Sequence, residues 1–297
     1  MRNSPHVTEG KNMYVVTAIT GQVGGVVARK LLADGKDVRA VVRNAAKADE
    51  WARQGCEIAV ADMRDAVALQ QAFTDAEAVF ILLPPTFDPS PGFGESREVI
   101  NAVHRALENA HPSRVTCLST VGAQAHPENL LTQLALLEKT LGTLSLPITF
   151  LRPAWFMENA SWDVASARDR GMIQSFLHPL DRAIPMVATA DVGQTAAKLL
   201  QEQSIGRRVV ELEGPRQVSP NDLAAGFAQL LGKDVRAEIV PPETWRAQFL
   251  AQGMKNPEPR IRMLEGFNEG WITFEREPIK GQSELDGVLR SLVERAV

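Results

Sequence analysis

The 297-residue sequence is 44% hydrophobic and carries a formal net charge of −4, which supplies apolar material for a sizeable core and no cationic excess. No lysine/arginine cluster offers a footprint for nucleic acid, no apolar run reaches the roughly 18 residues needed to cross a bilayer, and the start of the chain holds no hydrophobic signal core. A cytoplasmic protein without nucleic-acid or membrane partners is expected; Cys56 and Cys117, two cysteines far apart in predicted buried strands, suggest neither a disulfide framework nor a metal knuckle.

Residues 1–12, polar and proline-containing, read as a disordered leader. The β-branched run from Met13 then leads through Thr17-Ala18-Ile19-Thr20-Gly21-Gln22-Val23-Gly24 into a helical pattern ending at Gly35, which reads as strand, tight loop and helix. A helix N-terminus offers unpaired N–H groups and a positive dipole end, and small residues let phosphate oxygens approach them. The spaced small residues are Ala18, Gly21 and Gly24; Ala18 departs from the usual glycine, and Gly21 is expected to tolerate a side chain least. A second strand over 37–43 ends at Arg43, about 20 residues past Gly21, where an acidic residue would hold an NAD ribose and an arginine accommodates a 2′-phosphate. Arg43, with Lys47 a helical turn later, therefore favours NADPH over NADH; Lys47 reads equally well as a solvated surface cation.

Further strands are expected at 56–61, 78–83, 114–119 and 147–152, alternating with helices near 22–34, 44–54, 65–73, 94–109 and 128–143. Near-continuous apolar strands in regular alternation with helices mean an α/β doubly wound parallel (Rossmann) sheet, with its ligand at the carboxyl ends of the strands. The pattern changes after Arg152. A helix from Thr189, a strand at 208–213, a short strand near 235–240 and a last helix near 284–293 are expected. The boundaries are thus 13–152 for the dinucleotide-binding domain, with later contributions from about 186–213, and 153–185 plus 214–297 for a smaller, mostly helical C-terminal lobe that lines the substrate.

Several stretches together carry a resemblance: the glycine loop, Asp62, Leu118-Ser119-Thr120-Val121-Gly122-Ala123, Leu151-Arg152-Pro153 with Phe156-Met157-Glu158-Asn159, Ala190-Asp191-Val192-Gly193, Glu213-Gly214-Pro215 and Gly266-Phe267-Asn268-Glu269-Gly270-Trp271. From Met13 onward the chain resembles the NmrA-like branch of atypical short-chain dehydrogenases, which includes type-2 quinone oxidoreductases and triphenylmethane-dye reductases. The resemblance implies a cofactor site built by the first loop on the pyrophosphate (Thr17, Ala18, Thr20 to Gly24), Arg43 and Lys47 on the 2′-phosphate, Asp62 and Met63 at the adenine, and Leu83-Pro84 at the nicotinamide ribose. Ser119, Pro153 and Phe156 would complete it, with Trp155, Phe156 and Asn159 lining the substrate. Asn159 equally suits a turn cap.

Ordinary short-chain dehydrogenases protonate their substrate with a tyrosine assisted by a lysine four residues on. The single tyrosine, Tyr14, lies in the first strand, and alignment puts Leu130 and Leu134 where the pair would fall. Ketone reduction needs that acid, whose loss costs roughly two to four orders of magnitude, whereas a quinone, dye or azo bond has less need of one. Ser119 and His126 remain as polar candidates for catalysis; His126 also reads as a loop histidine in water, and Glu128 as a first-turn acid of the following helix. The expectation is a flavin-free, metal-free NADPH oxidoreductase acting on a small aromatic acceptor. The alternative is an NADP(H)-holding redox sensor with little turnover, while a sugar-nucleotide epimerase would need the missing tyrosine. Monomer and homodimer both stay open.

Overall fold

A computed structural model describes residues 12–296; the expected leader falls, except for Asn12, outside the described residues. The main chain alternates β1 (Met13–Val16), α1 (Gln22–Ala33), β2 (Asp37–Val42), α2 (Asp49–Arg53), β3 (Glu57–Val60), α3 (Ala66–Phe73), β4 (Ala76–Ile81), α4 (Gly94–Ala110), β5 (Arg114–Leu118), α5 (Thr132–Leu141) and β6 (Ile148–Pro153). Then follow β7 (Trp155–Phe156), a 3-10 segment Met157–Asp163, α6 (Val164–Arg170), β8 (Met172–Ser175), β9 (Met186–Val187), α7 (Thr189–Gln201) and β10 (Arg207–Glu213). The chain closes with α8 (Pro220–Leu231), β11 (Arg236–Ile239), α9 (Trp245–Ala251), α10 (Glu258–Glu269), β12 (Ile279–Lys280) and α11 (Leu285–Arg295).

Eight strands form one parallel sheet in the order β12-β10-β6-β5-β4-β1-β2-β3, the doubly wound arrangement expected from the alternation. Because successive strand residues point to opposite faces, Tyr14 and Val16 join one core with Val27 and Leu31 of α1 and Ala196 of α7, while Val15 joins the other with Phe73, Val103 and Leu137 of α3, α4 and α5. The order reverses between β1 and β4, so the carboxyl ends of these two strands open the crevice in which such folds bind ligands.

The carboxyl part has its own core of Met157, Val164, Ile173, Ile184, Phe227, Phe267 and Leu289, with a satellite around Trp245 and Phe249. It also returns to the main sheet, since Ile279–Lys280 pairs in parallel with Leu212–Glu213. The sequence gives no warning of that two-residue strand. The expected helix over 44–54 breaks into a 3-10 turn, Ala45–Lys47, and α2, with Asn44 capping the turn through Ala46 N–H. The helix expected from 128 begins instead at Thr132, because the Asn129 side chain accepts from Leu131 N–H and holds 127–131 in a turn; Glu128 is therefore exposed ahead of the helix. Cys56 precedes β3 and Cys117 lies in β5, both buried, and burial pushes both thiols up.

Candidate active site

The N-terminus of α1 sits at the carboxyl end of β1 and has neither a side-chain cap nor an acidic residue in its first turn. By contrast, α3 is capped by Asp65 and α8 by Ser219 in a capping box. The first N–H groups of α1 thus have no side chain competing with an anion. Gly21, the N-cap, has φ −88° and ψ 173°, extended backbone that any residue adopts, so the loop's positive φ does not fall there. It falls on Ala18, at φ 51°. Gly24, not Gly21, is where a side chain is least tolerated: a β-carbon on Gly24 would lie 2.3 Å from the Ala18 carbonyl oxygen, against 3.3 Å for one on Gly21.

The other expected loop residues divide by what their side chains do. Thr17 is fully buried, and its hydroxyl donates to Phe80 O (3.0 Å) and accepts from Leu82 N–H (3.0 Å), bracing β1 against β4 and leaving no hydroxyl for a ligand. Thr20 and Gln22 are exposed and Val23 is buried. Arg43, just past β2, is exposed and has no hydrogen bond or ion pair among the described residues; the Lys47 side chain lies outside them. Asp62, exposed beyond β3, accepts from Arg64 N–H (2.9 Å) and borders an open groove of about 720 Å³ with Gln70, Arg105 and Asn109. Met63 and Leu83 are half-buried and Pro84 is exposed.

Ser119, at the carboxyl end of β5, is buried, and its hydroxyl donates to Glu138 Oε1 at 2.5 Å. That carboxylate takes two further bonds from Arg152, at 2.8 and 2.7 Å, while Arg152 also reaches Glu275 (2.5 Å) and Gln124 (3.1 Å) and lies 3.6 Å from Glu211. This network carries no signal in the sequence, because its members are scattered over 119–275 and meet only across the folded sheet. His126 stands exposed in the loop before α5, so the structure leaves it as a solvated histidine. Leu130 and Leu134 are apolar and packed, Leu130 just ahead of α5 rather than on it.

Pro153 is buried; Trp155 and Phe156 are half-buried, Trp155 meeting Phe267 edge-on at 5.0 Å and Phe156 packing on the core beside β1. Asn159 is half-buried with no side-chain partner among the described residues, while its neighbour Glu158 accepts from Thr189 N–H (2.9 and 3.0 Å) and Oγ1 (2.7 Å), capping α7. Asp191 accepts from Gln282 N–H, Ser283 N–H and Ser283 Oγ, which fastens the last segment to α7, and a β-carbon on Gly193 would strike Val26 at 2.5 Å where α7 crosses α1. Two motifs singled out in the sequence therefore serve to hold α7 in place. Asp163, closing the 3-10 segment, has its carboxyl pushed up to about 7 by burial.

Tyr14 lies at the other end of the sheet: its hydroxyl accepts from Arg114 Nη2 (3.2 Å), at the start of β5, and Lys36 stands over its ring. Tyr14→Phe is expected to leave turnover unchanged in a steady-state assay. A more than tenfold fall in kcat with the fold intact would contradict this placement.

A parallel sheet of this order with an uncapped, glycine-bounded helix at its switch point defines the dinucleotide-binding class of short-chain-dehydrogenase folds. Within that class the chain belongs to the NmrA-like family, whose model matches residues 10–269, and it is an oxidoreductase without the tyrosine–lysine pair. It is 28% identical over 260 residues to quinone oxidoreductase 2 of Escherichia coli, covering 87% of each chain, and 24% identical to NAD(P)H azoreductase of Xenophilus azovorans, covering 82% of each. The fold matches the crystal structure of the NADPH-dependent quinone oxidoreductase QOR2 of E. coli complexed with NADPH, with a TM-score of 0.78 at 23% identity over 96% of this chain and 100% of that one. Among the described residues no helix is long and apolar enough to cross a membrane, and no His/Cys/Asp/Glu group could hold a metal ion.

Proposed function

We propose that the protein reduces a small electron-poor aromatic acceptor, a quinone, dye or azo compound, with NADPH and no flavin. The observation that carries this reading is the uncapped start of α1, which Gly24 lets pack directly on the Ala18 carbonyl, together with the unpaired Arg43 at the end of β2. These residues fit a dinucleotide: the N–H groups of Gln22, Val23 and Gly24 would take the pyrophosphate, Arg43 the 2′-phosphate and Asp62 the adenine edge. NADPH bound there supplies a hydride.

The chain's own part is to hold and to shield. Leu83 and Pro84 follow β4 beside the switch point, and Trp155 and Phe156 follow β6, so these apolar residues would flank a flat ring bound there. The Ser119 hydroxyl is engaged by Glu138, Leu130 and Leu134 are apolar, and Tyr14 is at the far end, so none of these positions offers a ready acid. That favours an acceptor whose reduced form is stabilised by conjugation over a ketone, whose alkoxide needs a proton donor. The relatives named as quinone oxidoreductase and azoreductase support the same acceptor class.

The cofactor half of the reading is tested by titrating NADPH and NADH against wild type and Arg43→Ala. NADPH should bind tighter, and the variant should narrow the gap by about 1.5–3 kcal/mol, the range for a hydrogen bond to a charged group. Equal affinity of the wild type for both nucleotides would refute it.

A further inference from the structure

Residues 254–257 and the first turn of α10 form a strap tied at both ends to loops that leave the carboxyl edge of the sheet. The Asp88 carboxylate, in the loop after β4, accepts from the N–H groups of Lys255 and Asn256 (both 2.8 Å), and Asn256 Nδ2 donates to Pro89 O (3.0 Å). Those two N–H bonds hold the Asp88 carboxyl below the usual carboxylate range. At the other end Leu130 N–H, in the loop after β5, donates to Pro259 O at 2.8 Å. Leu130 is where the family resemblance would put the missing tyrosine.

The next residue along the strap, Arg260, is half-buried and has no carboxylate within ion-pair distance among the described residues. Its guanidinium lies 4.5 Å from the centroid of the Phe249 ring, and Nη1 is 3.9 Å from Met254 Sδ. Met254 packs in the same apolar cluster as Trp155, the first residue after β6 and its following turn. The other buried and half-buried arginines all meet oxygens: Arg39 those of Glu57, Arg114 of Glu77, Arg152 of Glu138, Arg208 of Glu202, and Arg168 the carbonyl of Ala296 at 2.9 Å. Burial pulls Arg260 below the ordinary arginine value with no opposing charge to restore it. A guanidinium that gives up hydration for an aromatic face and a thioether, with no oxygen acceptor, is completed by an oxygen anion or carbonyl brought by a ligand, which it can meet with two parallel N–H bonds.

We infer that Arg260 receives an anionic or carbonyl oxygen of the acceptor, so that quinones and aromatic anions are preferred over cationic dyes. The inference rests on the reductase reading for the identity of the ligand as a substrate. Hydride addition to a quinone yields the hydroquinone monoanion and NADP+; Arg260 offsets the charge on that oxygen until water protonates it. The guanidinium thereby stands in electrostatically for the absent acid without itself giving up a proton.

The test uses the full-length protein and three probes of matched ring size: a sulfonated naphthoquinone, a neutral naphthoquinone and a cationic triphenylmethane dye. Redox-inert 2-naphthalenesulfonate is titrated by calorimetry in parallel. Arg260→Met is expected to lower kcat/KM for the sulfonated quinone by tenfold or more and for the neutral quinone less, to leave the dye unchanged or improved, and to weaken naphthalenesulfonate at least tenfold with NADPH affinity intact. Arg260→Lys, which keeps the charge, should recover part of the loss, and Arg262→Gln, removing a nearby arginine paired with Glu265, should change nothing. An equal effect on all three acceptors, or none, overturns the inference while leaving the reductase reading standing. Arginine-dependent binding of naphthalenesulfonate by a protein that turns over no acceptor would support the oxygen site and refute the reductase reading.

Discussion

Gly24→Ala is expected to weaken NADPH binding by about a hundredfold, ~2.8 kcal/mol, with the sheet still folded. Its β-carbon would sit 2.3 Å from Ala18 O and 2.7 Å from Ala18 C, backbone atoms that can retreat only if the whole turn between β1 and α1 shifts. Such overpacking costs about 1–3 kcal/mol, and the shifted turn carries the phosphate-facing N–H groups of α1 with it. Gly21→Ala meets a single atom at 3.3 Å on extended backbone and should be the milder substitution. Ala18→Gly should act on stability: it removes a left-handed alanine, raising stability by ~0.5–1 kcal/mol after the added freedom of the unfolded chain is counted, and leaves affinity nearly unchanged. Calorimetric titration with circular dichroism checks all three. A Gly24→Ala protein that binds like wild type would remove the phosphate from this turn.

Arg152→Met should destabilise the fold by about 3–5 kcal/mol, the cost of breaking a buried ion pair by removing one partner. The arginine is 5% exposed and gathers α5, β6, β10 and the segment ahead of β12 through Glu138, Glu211 and Glu275. Without it Glu138 and Glu211 keep only neutral donors, Ser119 for the first and the N–H groups of Glu275 and Arg276 for the second. Thermal melts of the variant beside wild type test this, with an expected midpoint drop of roughly 10 °C for a domain of this size. A midpoint equal to that of wild type would contradict the weight given to this network.

The parallel sheet was legible because its strands are buried on both faces, so their apolar runs need no partner to be recognised; Val15 and Val16 serve opposite cores from adjacent positions. Strand β12 was not legible, because two exposed residues gain their place only from Leu212–Glu213 and from the tie of Asp191 to Gln282 and Ser283. In the glycine loop the residue types were readable while the backbone angles were not. Which of Ala18, Gly21 and Gly24 takes positive φ, and which lies under a carbonyl, depends on how α1 leaves the strand. Arg43 could be singled out by its distance from Gly21 alone. Arg152 and Arg260 look alike in sequence; one has three carboxylates around it and the other none, a difference made entirely by tertiary contacts.

Turnover of NADPH, as against mere retention, is read most directly in an anaerobic single-turnover experiment on flavin-free protein, mixing the NADPH complex with an electron-poor naphthoquinone and repeating it with NADPH deuterated at the transferred position. One hydroquinone should form for each NADPH lost, and the deuterated cofactor should react more slowly. NADPH that binds tightly yet is not consumed with quinone, azo or dye acceptors would contradict turnover and leave a dinucleotide-holding sensor in its place.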